Sequence, residues 1–201
     1  MAHAVRSLGR INPKTSAVFL CDMQDKFRPM ISHFDQIVQN SNRVLNAARI
    51  MDIPVFATEQ YPKGLGPTVP EIELAKFGIT PYPKTCFTMC VPDLMAALRE
   101  VQPETKSIVL CGIETHACIH HTTLDLLEAG FEVHIPVDCA SSRTETDRRF
   151  ALSRLRDVGA FLTTSECVIL GFAADSSHPK FKGLQKIVMK SAPDTGLLSH
   201  L

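Results

Sequence analysis

Short, unbroken apolar runs alternate along the chain with longer segments in which apolar residues recur at the helical period. Three of these runs, Ala17–Cys21, Val55–Thr58 and Ile108–Cys111, are typical of strands covered on both faces of a sheet. The longer segments Gln36–Met51 and Pro92–Glu100 are predicted to be helices. Because strands alternate with helices, we expect a parallel sheet joined by right-handed crossovers.

The second half of the chain continues this alternation. A less deeply covered strand is predicted at Phe131–Val137, where polar residues interrupt the apolar ones, and a last strand at Gly159–Thr163. Between them, a polar helix begins with Ser141 or Ser142 as its cap and runs to about Val158. The sequence therefore predicts an α/β protein with three layers, α/β/α, around a parallel, Rossmann-like sheet.

The other segments have weaker patterns. Glu59–Thr85 is rich in proline and glycine, and Pro70–Lys76 is the part of it that suits a short helix. Residues 172–201 are expected to form a surface tail. Since 201 residues suit one domain, we expect residues 1–201 to form a single domain with a core at about 15–170.

The corner that follows Ile108–Cys111 carries the first candidate for chemistry. A sharp turn at Gly112–Glu114 leads into a predicted helix with Thr115 as its N-cap and Gly130 as its stop. Cys118 then lies on the first helical turn, where free N–H groups and the helix dipole favour the thiolate. Most free cysteines are inert core residues, and this placement favours a nucleophile instead.

Two more candidates lie elsewhere along the chain. Asp22 comes directly after Ala17–Cys21, as a helix cap or as a site residue, and Lys84 follows the proline-rich segment. Ligands of such sheets bind beyond the carboxyl ends of the strands, where the strand order reverses. If the first strand and Ile108–Cys111 are neighbours there, Asp22 and Cys118 share one crevice. A cysteine that attacks a carbonyl needs a base and donors for the oxyanion. A carboxylate can be that base if a closed pocket raises its pKa, and a nearby ammonium can hold the thiolate and the carboxylate as anions, so the chemistry is feasible without histidine.

Composition narrows the range of partners and compartments. Lys+Arg and Asp+Glu both number 21 and no run of like charges stands out, so neither nucleic acid nor an anionic membrane is an expected partner. Seven cysteines, an odd number, favour a reducing compartment over a disulfide framework, and we expect a cytoplasmic protein. No apolar run approaches the ~18 residues of a membrane span, and no secretory signal is recognised.

Both ends of the sequence have weak targeting features. Arg6, Arg10 and Lys14 precede the first acid, Asp22, as in a mitochondrial presequence, although such a stretch also arises by chance. The tripeptide Ser199-His200-Leu201 fits the pattern of a peroxisomal address, and a chance tripeptide is the alternative.

Several motifs along residues 15–170 occur together in one known family. They are FLCDMQDKF (Phe19–Phe27), a lysine followed by phenylalanine (Lys84 and Phe87), CGIETHACI (Cys111–Ile119) and VDCASS (Val137–Ser142). With these motifs in this order, the chain resembles the isochorismatase-like cysteine hydrolases, which include nicotinamidases, N-carbamoylsarcosine amidases and isochorismatases. TEQYPKGLGPTVPE (Thr58–Glu71) and PDTGLL (Pro193–Leu198) resemble the branch of isochorismatase domain-containing proteins.

The resemblance implies a catalytic triad of Asp22, Lys84 and Cys118. It also implies a cis peptide bond between Ile113 and Glu114, and an oxyanion hole formed by the backbone N–H groups of Glu114 and Cys118. The residues that it implies around the substrate are Gln24, Phe27, Gln60, Tyr61, Phe87 and Thr115. The implied reaction is hydrolysis of a small amide-like substrate, and homo-oligomers are expected because family members commonly associate.

The chain also departs from parts of the family. Metal-dependent nicotinamidases carry histidines after the second strand, whereas this chain has Glu59-Gln60-Tyr61-Pro62 there and no histidine between His33 and His116. We therefore expect no metal and no other cofactor. The Gln-x-Pro segment resembles the metal-free isochorismatase branch, which acts on a vinyl ether and does not need the cysteine. Vinyl-ether hydrolysis, and a retired site in a fold that binds partner proteins, remain alternatives.

Other polar residues near Cys118 have more than one interpretation. His116, His120 and His121 are close to it in sequence; His121 could lie beside it, and solvated or packing histidines are the alternative. Cys86 lies close to Lys84, and a disulfide between Cys86 and Cys118 that switches the site off is a further hypothesis.

Overall fold

The computed structural model describes residues 7–193, so Arg6 and the predicted address Ser199-His200-Leu201 lie outside the described residues. Its strands are β1 (Ser16–Cys21), β2 (Val55–Gln60), β3 (Tyr82–Lys84), β4 (Ser107–Ile113), β5 (Glu132–Pro136), β6 (Ala140–Ser141) and β7 (Phe161–Thr163). Its α-helices are α1 (Phe34–Ile50), α2 (Pro62–Leu65), α3 (Pro92–Val101), α4 (His120–Glu128), α5 (Glu145–Asp157), α6 (Ser165–Ala173) and α7 (Phe181–Val188). Within residues 7–193, no helix combines the length and the apolar character needed to cross a bilayer.

All strand pairs of the sheet are parallel, in the order β3-β2-β1-β4-β5-β7, with β6 paired to β4. The chain moves outward from β1 in one direction through β2 and β3, and in the other through β4, β5 and β7. The order therefore reverses between β1 and β4, which confirms that these two strands are neighbours at the switch point.

The side chains of β1 alternate between two apolar layers. Val18 and Leu20 lie in one core cluster with α1, α6 and α7, whereas Phe19 and Cys21 lie in the other with α3, α4 and α5. This alternation follows from the two-residue period of a strand. The three-layer α/β/α arrangement predicted from the sequence is confirmed.

Two predicted helix starts are wrong. Thr115 does not cap the helix after β4, because residues Thr115–Ile119 form a π-helical turn that precedes α4 and the buried Oγ1 of Thr115 has no hydrogen-bond partner. The helix α5 begins after Thr144, whose side chain accepts from the backbone N–H of Asp147, and not after Ser141 or Ser142. Ser141 instead belongs to β6.

Three segments are more ordered or more deeply packed than the sequence suggests. The proline-rich segment contains α2, a 3₁₀ turn at Leu74–Phe77 in place of the helix expected at Pro70–Lys76, and β3. The expected surface tail includes α7, whose Leu184 is buried against the cluster around α1. The strand β5 is also buried over most of its length, since Phe161 and the rest of β7 extend the sheet beyond it.

Candidate active site

Three candidate residues meet at the carboxyl edge of the sheet. Asp22 directly follows β1, Lys84 ends β3, and Cys118 lies in the π-helical turn that follows β4. Lys84 Nζ is 2.6 Å from Asp22 Oδ2 and 3.7 Å from Cys118 Sγ. The side chains of Lys84 and Asp22 are 0% and 1% exposed. Parallel strands thus deliver an acid, an ammonium and a thiol to one buried point.

The carboxylate of Asp22 has a fixed orientation. Its Oδ1 accepts a hydrogen bond of 2.8 Å from Thr58 Oγ1, and its Oδ2 faces Lys84. The thiol of Cys21 donates to the same Oδ2 at 3.5 Å. Thr58 therefore holds Oδ1, and Oδ2 faces both the ammonium of Lys84 and the thiol of Cys21.

The ammonium of Lys84 is surrounded by acceptors in addition to Asp22. It donates to Gln60 Oε1 at 2.7 Å and to the backbone oxygens of Phe87 at 3.0 Å and Cys86 at 3.1 Å. Burial alone lowers the pKa of Lys84, but the nearby Cys21, Asp22 and Cys118 raise it, and the net shift is upward. The side chain of Lys84 therefore stays protonated and places a positive charge beside the thiol of Cys118.

The turn that carries Cys118 is tied to the segment that follows β3. The carbonyl oxygen of Cys118 accepts from Thr122 Oγ1 at 2.6 Å, and the same hydroxyl accepts from the backbone N–H of Met89 at 2.9 Å. These bonds hold the thiol and Lys84 in a fixed relation. Cys118 itself is buried, with 7% of its surface exposed.

The peptide bond between Ile113 and Glu114 is cis. The Glu114 side chain pairs with Arg143, whose Nη2 is 2.7 Å from Oε1 and whose backbone N–H donates to Oε2 at 3.1 Å. Burial raises the pKa of Glu114, but the bonds and charge of Arg143 lower it, and the net shift is downward. The ion pair of Glu114 with Arg143 thus fixes the residue that directly precedes the turn carrying Cys118.

Close packing of the backbone is needed at the same edge. Gly112 pairs with Cys21 across β1 and β4, has a φ of 123°, and a Cβ there would lie 2.1 Å from the carbonyl oxygen of Cys21. Only glycine fits this position.

The two glutamines expected near the substrate are engaged with the protein. Gln24 Nε2 donates to the carbonyl oxygens of Gln60 and Gly66 at 2.9 and 2.6 Å, and its Oε1 accepts from the Gln60 N–H at 2.7 Å. Gln60 in turn donates from Nε2 to the Thr85 carbonyl oxygen and accepts from Lys84. Both side chains therefore act on the position of Lys84 and its loop.

The other expected pocket residues differ in their surroundings. Tyr61 and Phe87 are about half exposed, and Phe87 stacks on His121 with ring centroids 5.5 Å apart. Phe27 is partly buried against the cluster around α1, and Thr115 is fully buried. A cavity of about 480 Å³ opens beside Lys84, lined by Tyr61, Pro62, Lys63, Pro83, Lys84, Thr85, Cys86 and Val91.

The histidines and Cys86 near the site have other contacts. His116 Nδ1 is 2.9 Å from Ser142 Oγ, and the ring of His121 lies between Phe87 and His120. The thiol of Cys86 is exposed and lies 3.5 Å from the carbonyl oxygen of Thr88.

Three residues that contact the site were missed by sequence reasoning: Cys21, Thr58 and Arg143. The first two end predicted strands, so their position at the carboxyl edge was a usable signal. Arg143 offered no such signal, because its contact with Glu114 depends on how β6 lies against β4.

One group within residues 7–193 could offer three ligands to a metal ion: Cys21, Asp22 and Cys118, with ligand atoms within 4.8 Å of one another. The Lys84 ammonium contacts two of these groups and opposes a cation there. In the segment that follows β2, where the sequence has no histidine, Glu59 Oε1 accepts from the backbone N–H and the hydroxyl of Thr68. The donor set at neither place suits a bound zinc ion.

Comparison with known proteins agrees with this architecture. Residues 16–167 match the model of the isochorismatase domain. The chain is 55% identical over 199 residues to isochorismatase domain-containing protein 2A of Mus musculus, covering 99% of this chain and 95% of the relative. The structure of MAR1 ribonuclease from Caenorhabditis elegans is 49% identical, with a TM-score of 0.87 over 96% of this chain and all of that one. The YcaC gene product of Escherichia coli, 24% identical and covering 96% of each chain, shares the fold with a TM-score of 0.83. This chain belongs to the isochorismatase domain family.

Proposed function

We propose that this chain is a hydrolase in which Cys118 attacks a small amide-like C–N substrate. The observation that carries the proposal is the buried ammonium of Lys84, 2.6 Å from Asp22 Oδ2 and 3.7 Å from Cys118 Sγ. An ammonium at that distance stabilises a thiolate, which is the nucleophilic form of cysteine. Membership of a family that includes hydrolases agrees with this assignment.

In the proposed reaction, Asp22 takes the proton of Cys118 and the thiolate attacks the carbonyl carbon. The backbone N–H groups of Glu114 and Cys118 stabilise the oxyanion that forms. Asp22 then gives its proton to the leaving amine, and a thioester remains. Water, deprotonated by Asp22, attacks the thioester; the acid departs and Cys118 recovers a proton. No cofactor enters this scheme.

The pocket residues have two roles in the proposal. Gln24 and Gln60 position Lys84, because their amides bind its loop and its ammonium. Tyr61 and Phe87, which are half exposed, and Thr115, whose buried hydroxyl lacks a partner, are the residues left to contact the substrate. Phe27 is partly buried against the cluster around α1. The 7% exposure of Cys118 favours a small substrate.

Oligomerisation and compartment also belong to the proposal. The YcaC gene product is described as an octameric hydrolase, and we expect this chain to associate with copies of itself. A cytoplasmic location agrees with seven free cysteines. Import into peroxisomes or mitochondria through the terminal segments stays a prediction from the sequence.

A second candidate function is cleavage of RNA, because the C. elegans neighbour is a ribonuclease by name and is 49% identical. The balance of 21 basic and 21 acidic residues favours the small amide over a polyanion. A small amide and RNA should therefore be tested side by side in one assay.

The test is a screen of small amides, ureides, vinyl ethers and an RNA oligonucleotide against the wild type and Cys118→Ala. We expect amide or ureide turnover in the wild type, reduced at least about a thousandfold in the variant. Amide turnover that survives the loss of Cys118 contradicts the proposal. Vinyl-ether turnover that survives it supports the isochorismatase alternative, and a complete absence of turnover supports a binding fold.

A further inference from the structure

Cys21 is a buried thiol that the proposed reaction does not use. It is the last residue of β1 and lies in the same core cluster as Cys118. The two sulfur atoms and a carboxylate oxygen of Asp22 all lie within 4.8 Å of one another. The site therefore contains two thiols and one base.

We propose that Cys21 and Cys118 form a reversible disulfide when a hydroperoxide enters the site. The disulfide would stop hydrolysis by Cys118 and protect its sulfur from further oxidation. The claim that the disulfide regulates catalysis rests on the proposed function. The claim that the two thiols form a disulfide rests only on their geometry.

Oxidation begins at Cys118 because it differs from its partner in access and in charge. Cys118 is 7% exposed and Cys21 is 0% exposed, so an oxidant in the cleft meets Cys118 first. The Lys84 ammonium at 3.7 Å also favours the thiolate that attacks a peroxide.

The covalent steps balance with one hydroperoxide. The Cys118 thiolate attacks the outer oxygen, the O–O bond breaks, and the alkoxide takes up the proton that Cys118 had lost, leaving a sulfenic acid and an alcohol. The sulfur of Cys21 then attacks the sulfur of Cys118. The thiol proton of Cys21 passes to Asp22 Oδ2, its acceptor at 3.5 Å, and from there to the departing hydroxide as water. Two thiols lose two electrons, and the peroxide gains them.

The geometry supports this pairing over the Cys86–Cys118 disulfide considered from the sequence. A disulfide needs sulfurs at about 2.05 Å, and the sulfurs of Cys21 and Cys118 already lie within 4.8 Å of each other. Cys86 is exposed, and its thiol is directed to the carbonyl oxygen of Thr88. Burial, together with Cys118 and Asp22, raises the pKa of Cys21 well above its usual range, so Cys21 stays a thiol until Cys118 is oxidised.

The test treats the full chain with hydrogen peroxide and maps its cysteines by mass spectrometry without reduction. We expect the loss of two hydrogen atoms, a cross-linked pair of peptides containing Cys21 and Cys118, and reversal by dithiothreitol. Cys86→Ala is the matched control and keeps the cross-link. In Cys21→Ala, Cys118 gains two or three oxygen atoms that dithiothreitol does not remove.

Three results would overturn the inference: an unchanged thiol count, oxygen uptake by wild-type Cys118 without a cross-link, or a cross-link to Cys86. The wild-type map decides among these even if Cys21→Ala fails to fold. Because the readout is mass, it does not depend on finding a substrate. Turnover that survives Cys118→Ala would overturn the proposed function and leave the cross-link result intact.

Discussion

Two pairs of neighbouring thiols lie on opposite faces of the same part of the sheet. Cys21 and Cys118 belong to the cluster packed by α3, α4 and α5, whereas Cys111 and Cys139 belong to the cluster packed by α1, α6 and α7. In the register of β1 and β4, Leu20 pairs with Cys111 and Cys21 with Gly112, so one step along the strands separates the two faces.

The pairs share burial and differ in their neighbours. Burial raises the pKa of Cys139 well above its usual range, with Cys111 as its hydrogen-bonding neighbour, as burial does for Cys21 beside Cys118. Only the Cys21–Cys118 pair has a lysine within 4 Å of a sulfur among the contacts of residues 7–193. Cys118 is also 7% exposed, whereas Cys111 and Cys139 are both 0% exposed. We therefore expect Cys118 to be the most reactive of these four thiols, because it has the ammonium of Lys84 beside it and is more exposed than the other three.

The largest expected effect comes from removing that ammonium. Lys84→Met leaves the Asp22 carboxylate buried without its cation, and we expect a loss of about 3–5 kcal/mol in the free energy of unfolding. Denaturant unfolding measures the loss. The double variant Asp22→Asn/Lys84→Met should recover most of it, and the exposed control Lys182→Met should change stability by about 0.5 kcal/mol or less. A Lys84→Met chain as stable as the wild type would contradict the buried pair.

The second effect concerns reactivity toward a small electrophile. At neutral pH, iodoacetamide should modify Cys118 at least about a hundredfold faster than Cys111 or Cys139, because a thiolate beside an ammonium reacts and a buried thiol does not. Peptide mapping over time measures the three rates in one sample. Comparable alkylation rates for Cys118, Cys111 and Cys139 would contradict the difference in reactivity between the two thiol pairs. A Cys118 rate equal to that of free glutathione would contradict an activated thiolate.

A smaller effect is expected from the second pair. Cys111→Ala leaves a small void in the core and should cost about 1–2 kcal/mol of stability. The alkylation rate of Cys118 should stay unchanged, because Cys111 faces the other layer. Thermal unfolding and labelling on the same preparation test both statements. A slower Cys118 in this variant would show that the two faces are coupled.

The smallest effect concerns the anchor of the Cys118 turn. The pKa of Glu114 is lowered from 4.5, so its contribution to stability is present above the unfolded value of 4.5 and is lost as pH falls through the lower folded value. Arg143 is half exposed, so the pair contributes about 1 kcal/mol or less. Arg143→Met should flatten the decrease in stability between neutral pH and acid, measured by thermal unfolding across that range. An unaltered pH profile would show that the pair does not hold the turn.

The sequence by itself determined the layers and the edge at which the site lies. Apolar runs fix which segments are strands, and parallel strands place the residues after them at one edge; Asp22 and Cys118 were found in this way. Lys84 was predicted at the end of an irregular segment, and the structure gives it a strand of its own, β3.

Only the tertiary structure decided which side chains touch. Cys21 and Cys86 are both close to a site residue in sequence, but strand register and side-chain direction bring Cys21 to Cys118 and turn Cys86 toward Thr88. Likewise, Ser141 and Thr144 are both suitable caps, and the pairing of β6 with β4 leaves the cap to Thr144. Local patterns set the period and position of an element, whereas contacts between distant segments depend on packing that no single segment contains.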